Sequence, residues 1–392
     1  MSIQREKVIQ AIEIVKEENI DIWLTIGRET VMNSDPVIQL ISKTDFGGLT
    51  AAMICKNGDN FMLANHLDSE GYRMTNVFDK VIQYENFVES LYKVLDDINP
   101  EVIAVNYSKD VAADGLTYGM YIQLSEWLNE YGYKGKLISS ERIIGKLRGC
   151  KTKTEIEYIK ESTKYAEKIL LDCVDFIREG VSEKEILDFC HERTEYYGLE
   201  LSWEPEQCPG VMVGPDTVLG HAAPSDTLKV KKGDVVNLDF GVKYKNYCSD
   251  IQRVFYVPND EDTNLPHEII TTFEGVQEAV QAGVYKMTVG ETIYIPDKTA
   301  RKSLRKNGLP DFKFGFGHQV GLATHDGGIS MSPRNKNYQG AQDNFFLENM
   351  VYTADVGVKT SRGHVNQEDM ILITSNGPVF ISKKQKLPYW CK

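Results

Sequence analysis

Two strand-like hydrophobic runs, each carrying an aspartate and joined by a short polar turn, constrain this chain more than any other feature. Val235 to Val242 alternates so that Val236, Leu238, Phe240 and Val242 share one face while Asp239 points to the other, as a period-two strand requires. After Lys243-Tyr244-Lys245-Asn246 comes Tyr247 to Val257, a second run rich in β-branched and aromatic residues. In an unbulged hairpin centred between Tyr244 and Lys245, Asp239 and Asp250 stand directly opposite one another. Like charges in that position repel, so a semi-enclosed pair calls for a cation or for a shared proton. A divalent metal ion answers the repulsion directly, and a β-bulge is what would break the facing arrangement.

At 392 residues the chain exceeds the usual size of one domain, and two domains are expected. A net charge of -13 argues against broad attraction to nucleic acid or to anionic lipid, both of which need clustered Lys and Arg. Met1 to Lys16 reads as an amphipathic helix with Val8, Ile12 and Val15 on one face, which is neither a signal peptide nor a membrane span. No apolar stretch approaches ~20 residues, so no bilayer crossing is expected. Seven cysteines with no C-x-x-C pair fit a reducing compartment, and the expected location is the cytoplasm.

Roughly the first third alternates helical and strand patterns in the manner of an α/β layer domain. Ile20 to Ile26, Ala51 to Cys55, Phe61 to Ala64 and Val102 to Val105 are the expected strands, with Asn57-Gly58-Asp59 as a hairpin signal between two of them. Phe87 to Leu95 and Tyr118 to Leu128 are the expected helices. A boundary falls near Leu147 to Thr154, where Thr152 and Glu155 form a capping-box pattern opening a long helix with Ile159, Ala166, Leu170, Cys173 and Ile177 along one stripe. Gly180 closes that helix, and Ser182 with Glu185 repeats the box. Beyond the aspartate hairpin comes a helical stretch from about His267 to Lys306, then a Gly-rich segment and a return to strands.

Three further segments carry metal-competent side chains. In the stretch from Gly315 to Asp326 the glycines disfavour a helix, and the odd separation of His318 and His325 puts them on opposite faces of any single straight strand, which suggests different jobs. Asp355 lies on a strand-like run just before Gly357. Glu368 sits in Gln367-Glu368-Asp369, heading the apolar run Met370 to Thr374.

Taken in order, "LRGCKTKTEIEYIK", "LDFG", "SDIQR", "GHQVGLATHD", "MVYTADVG" and "QEDMILIT" resemble the pita-bread metallopeptidases, in particular the branch containing aminopeptidase P and prolidase. The resemblance covers most of the chain. It implies a creatinase-like α/β N-terminal domain over 1–147 and an α+β pita-bread catalytic domain over 148–392. It further implies that Asp239, Asp250, His318, Asp355 and Glu368 hold two metal ions, while His221, in "VLGHAAP", and His325 contact the peptide. Four carboxylates and one imidazole suit Mn2+, with Zn2+, Co2+ and Fe2+ as alternatives. The implied reaction is hydrolysis of the Xaa-Pro bond at the N-terminus of peptides or dipeptides by a metal-bridging hydroxide, with Asp355 passing on the proton. A homodimer is the implied assembly.

The chain departs from the family pattern at two places. Where the family has Glu and Pro in "TxEPG" this chain has Asp355 and Val356, and the Arg that usually precedes the last Glu by two positions is Asn366. Shortening Glu to Asp withdraws the carboxylate by about 1.5 Å, and errors of ~1 Å in a catalytic constellation can cost on the order of a hundredfold in rate. These departures keep open a catalytically impaired module that binds peptide or protein. A metal-independent, creatinase-like C–N hydrolase on the same fold is the other alternative.

Overall fold

A computed structural model describes residues 1–217, 222–328, 330–333 and 344–392. It forms two compact units, Met1–Thr152 and Lys153–Lys392.

In the first unit, strands β1 (Ile22–Gly27), β2 (Thr50–Cys55), β3 (Asn60–Ala64), β4 (Lys80–Gln83), β5 (Val102–Val105) and β6 (Lys136–Ser139) make a mixed sheet in the order β4-β3-β2-β1-β5-β6. The Asn57-Gly58-Asp59 signal joins β2 to β3 as an antiparallel pair, with Gly58 in the left-handed region at φ 97°. Helix Phe87–Ile98 places Phe87, Leu91, Val94 and Leu95 against the sheet, the spacing of one helical face. Its ends are set locally: the Asn86 side chain accepts from the amides of Val88 and Glu89, and Asn99 terminates it with a left-handed φ of 49°. Each such large apolar side chain contributes roughly 1.5–3 kcal/mol of burial.

The second unit opens with helix Lys153–Phe176, whose Ile159, Ala166, Leu170 and Cys173, with Ile177 just beyond, are fully buried. Helix Glu183–Tyr196 begins on a formed capping box between Ser182 and Glu185. Short strands β7 (Glu200–Leu201) and β8 (Gly210–Val213) lead to β9 (Val235–Phe240), β10 (Val242–Tyr244), β11 (Tyr247–Cys248) and β12 (Ile251–Tyr256). The expected helical stretch resolves into two helices, His267–Val284 and Ile295–Lys306. Then come β13 (Val351–Thr360), β14 (Gly363–Thr374), β15 (Gly377–Phe380) and β16 (Tyr389–Trp390). The main sheet runs β13-β14-β12-β9-β8, with β15 on β14 and β16 on β12, and helix His267–Val284 packs on β13 and β14.

The aspartate hairpin differs from the expected one in two respects. Its turn is Lys245-Asn246, both residues left-handed at φ 51° and 69°, as a two-residue hairpin turn of the primed kind demands. This moves the centre by one residue, so Asp239 pairs with Gln252 and not with Asp250. Each long run is also broken in two, because the hairpin tip leaves the main sheet to join β7 in a three-stranded one. Gly241 makes the crossing feasible: a Cβ there would lie 1.9 Å from the Ser249 carbonyl oxygen, closer than any side chain tolerates.

Candidate metal centre

The registers line up one residue from each of four adjacent strands. Asp239 on β9 faces Gln252 on β12, Gln252 faces Glu368 on β14, and Glu368 faces Asp355 on β13. Cross-strand partners share a face of the sheet, so the four side chains form a row on one side of it. Asp250 joins them from the break before β12. The pairing frame is the same on both sides of the break, which puts Asp250 across from Gly241 and diagonal to Asp239. The two side chains therefore still meet, although not head-on.

His318 reaches the row from beside β13. Thr353 N donates to the His318 carbonyl at 2.9 Å, and Asp355 N donates to the Phe316 carbonyl at 2.7 Å, so this segment lies along the strand edge. Gly317 permits that approach, since a Cβ would sit 2.3 Å from the Thr353 carbonyl oxygen. His318 Nε2 then stands 3.4 Å from Asp250 Oδ2 and 3.9 Å from Glu368 Oε1. The segment turns after Gly321 and does not continue as a strand, and the His325 ring packs edge-on against that of His318, centroids 4.2 Å apart. The expected opposition of the two histidines on a straight strand does not hold. Glu368 also sits in mid-strand, not at its head, because His364 to Gln367 pair with β13 although three of the four are polar. His221 lies outside the described residues.

Burial holds the proton affinity of Asp239, Asp250 and Asp355 well above the usual carboxylate range, and neighbouring carboxylates, Glu368 among them, add to it. One oxygen of each of these three aspartates is enclosed with no hydrogen-bond partner among the described residues. Orphaned, mutually repelling anions of this kind are what a cation would satisfy. Asp250, His318 and Glu368 offer ligand atoms within 4.8 Å of one another, a spacing fit for one ion. The donor set of oxygen with one imidazole fits the expected divalent metals.

Asn366 faces Gly357, and its amide reaches the Met212 sulfur at 3.8 Å. Sequence reasoning missed Gln252, whose Nε2 donates to Glu368 Oε2 at 2.9 Å. Its place two residues after Asp250, on the same face, is the signal that could have found it. A cavity of about 620 Å³ in the first unit, lined by Tyr107, Tyr118, Tyr121 and Asp114, contains none of the expected site residues.

The model of metallopeptidase family M24 matches residues 157–375. An Xaa-Pro dipeptidase of Pyrococcus horikoshii is 27% identical over 392 residues, covering 98% of this chain and 99% of that protein. An Xaa-Pro dipeptidase of Pyrococcus furiosus is 29% identical over 310 residues, 78% of this chain and 80% of that protein. Among solved structures, an Xaa-Pro dipeptidase from Bacillus anthracis superposes with a TM-score of 0.74 at 23% identity, over 98% of this chain and 99% of that one. An X-Pro aminopeptidase from Thermotoga maritima gives 0.68 at 24%, again over 98% and 99%. The pita-bread fold expected of the second unit is thus shared with these neighbours, and no described helix is long and apolar enough to cross a membrane. With a family match over more than half its length and a row of acids on the matching sheet, this chain belongs to metallopeptidase family M24, in its prolidase and aminopeptidase P branch.

Proposed function

We propose that the protein hydrolyses the bond between an N-terminal residue and a following proline, with Asp239, Asp250, His318, Asp355 and Glu368 holding two divalent ions, Mn2+ foremost. The row Asp239-Gln252-Glu368-Asp355, closed by Asp250 and His318, carries the reading. The names of the relatives supply the proline preference. The ions would lower the proton affinity of a water until it is a nucleophile at neutral pH and would polarise the scissile carbonyl.

The chain's own groups do the rest. Asp355, whose proton affinity is raised by burial and by Glu368, accepts the proton of the attacking water and delivers it to the leaving prolyl nitrogen. His325, exposed beside His318, meets the peptide and steadies the developing oxyanion, and His221 does the same. The catalytic domain spans 148–392, and the creatinase-like domain spans 1–147. The working form is a homodimer in the cytoplasm, where the seven cysteines stay reduced. Light scattering should accordingly give about twice 44.4 kDa.

Purified protein with added Mn2+ should release the first residue from Xaa-Pro peptides, and chelation or Asp250→Ala should abolish the release. A folded, metal-loaded sample without turnover on Xaa-Pro dipeptides and on longer Xaa-Pro peptides would sink the peptidase reading.

A further inference from the structure

One member of the row across the sheet carries no charge. Gln252 lies between Asp239 and Glu368 in register and is only 5% exposed. Its Nε2 donates to Glu368 Oε2, and the other oxygen of that carboxylate, Oε1, is the one directed at His318.

We propose that Gln252 is a positioning residue of the metal centre: its amide nitrogen holds one oxygen of Glu368, and so keeps the other turned toward His318 and the ions. The inference rests on the dinuclear reading above and deepens it. Side-chain chemistry at this position is narrowly constrained. A lysine would place a positive charge where cations must bind, a glutamate would add a fifth carboxylate to an already repelling group, and an apolar residue would leave the Glu368 carboxylate free to rotate. The amide supplies donors without charge, as groups behind metal ligands commonly do. Gln252 Oε1 is itself buried without a partner among the described residues, so the contact to Glu368 through nitrogen fixes the side chain's orientation.

The test is Mn2+ titration by calorimetry, with metal counted after dialysis, on wild type, Gln252→Met, Glu368→Gln and the double variant. Methionine keeps the length and removes the donor. The expected result is two ions on wild type and at least tenfold weaker Mn2+ binding by Gln252→Met, with its metal-free circular dichroism and urea midpoint unchanged. In the Glu368→Gln background the same substitution should cost less than threefold, because its route through Glu368 is already cut, an interaction that a merely structural role would not produce. A wild type that takes up no Mn2+ overturns the metalloenzyme reading and this inference with it. Equal stoichiometry and affinity in wild type and Gln252→Met overturns the inference alone. Should Gln252→Met fail to fold, the Mn2+-loaded wild-type crystal structure decides. Nε2 within ~3.2 Å of a Glu368 carboxylate oxygen supports the role, and an amide that misses Glu368 overturns it.

Discussion

At the scale of single residues, the chemistry of this protein comes from carboxylates crowded together, with Asp250 and Glu368 buried and Asp239 and Asp355 half-buried beside them. In the proposed site, metal and protons would compete for Asp239, Asp250 and Asp355, whose proton affinities burial has raised. Mn2+ affinity should therefore fall steadily as the pH is lowered from neutrality, and calorimetric titrations at a series of pH values measure this. His364 makes the opposite kind of contribution, one to stability. Burial, with help from Lys359, pushes its imidazole down to about 4, against an unfolded value near 6.5. Between those two values the unfolded chain takes up a proton that the folded one refuses, so stability falls as pH drops through about 6.5 to 4 and the contribution is flat above. Urea midpoints at pH 7, 5.5 and 4.5 should decline less steeply for His364→Gln than for wild type. Asp355 offers a third check: Asp355→Asn keeps shape and removes the charge, and it should lower kcat by on the order of a hundredfold or more if the residue moves the proton.

Among the secondary-structure elements, two buried charges hold the frame. Arg253, on the face of β12 opposite the row, donates to the Gln252 and Glu368 carbonyls and pairs with Asp369 at 3.0 Å. Arg253→Met would strand the Asp369 carboxylate in the interior and should destabilise the second unit by about 3–5 kcal/mol, read from its urea midpoint. Glu183, at the start of its helix, accepts from Val213 N, Thr217 Oγ1 and Ser225 N, and so joins Thr217 to Ser225. Elements were legible where period and punctuation agree. Val102 to Val105 and the starts of the helices at Phe87 and Tyr118 are as the sequence implied, and the Ser182 box forms. The hairpin register was not legible. Its centre depends on which two of four polar residues adopt left-handed φ, and Lys245 is not a residue that advertises it. The split at Gly241 depends on a neighbouring carbonyl that only the tertiary fold brings near. The convergence of Asp239, Asp250, His318, Asp355 and Glu368 could be expected from the family resemblance, but the row through Gln252 required the β12 pairings on both sides.

For the whole molecule, the proposed metal centre would tie together strands from distant parts of the second unit, so ions should act as a brace across that unit. An ion at a hundredfold excess over its Kd contributes about 2.7 kcal/mol, which for a unit of this size is roughly 5–10 °C in Tm. Differential scanning calorimetry with Mn2+ and with chelator should show that difference in the transition of the second unit. Its size should shrink in Asp250→Ala.

The placement of Glu368 has a consequence for biosynthesis. Translation delivers this side chain after the other four that are proposed to grip the ions, and it enters the cluster only when β14 has inserted between β12 and β13. A nascent polypeptide still short of that strand has no cage to fill. The identity of any ion held there would then be decided by the mature protein sampling the cellular metal pool, not by whatever is present while the ribosome is at work.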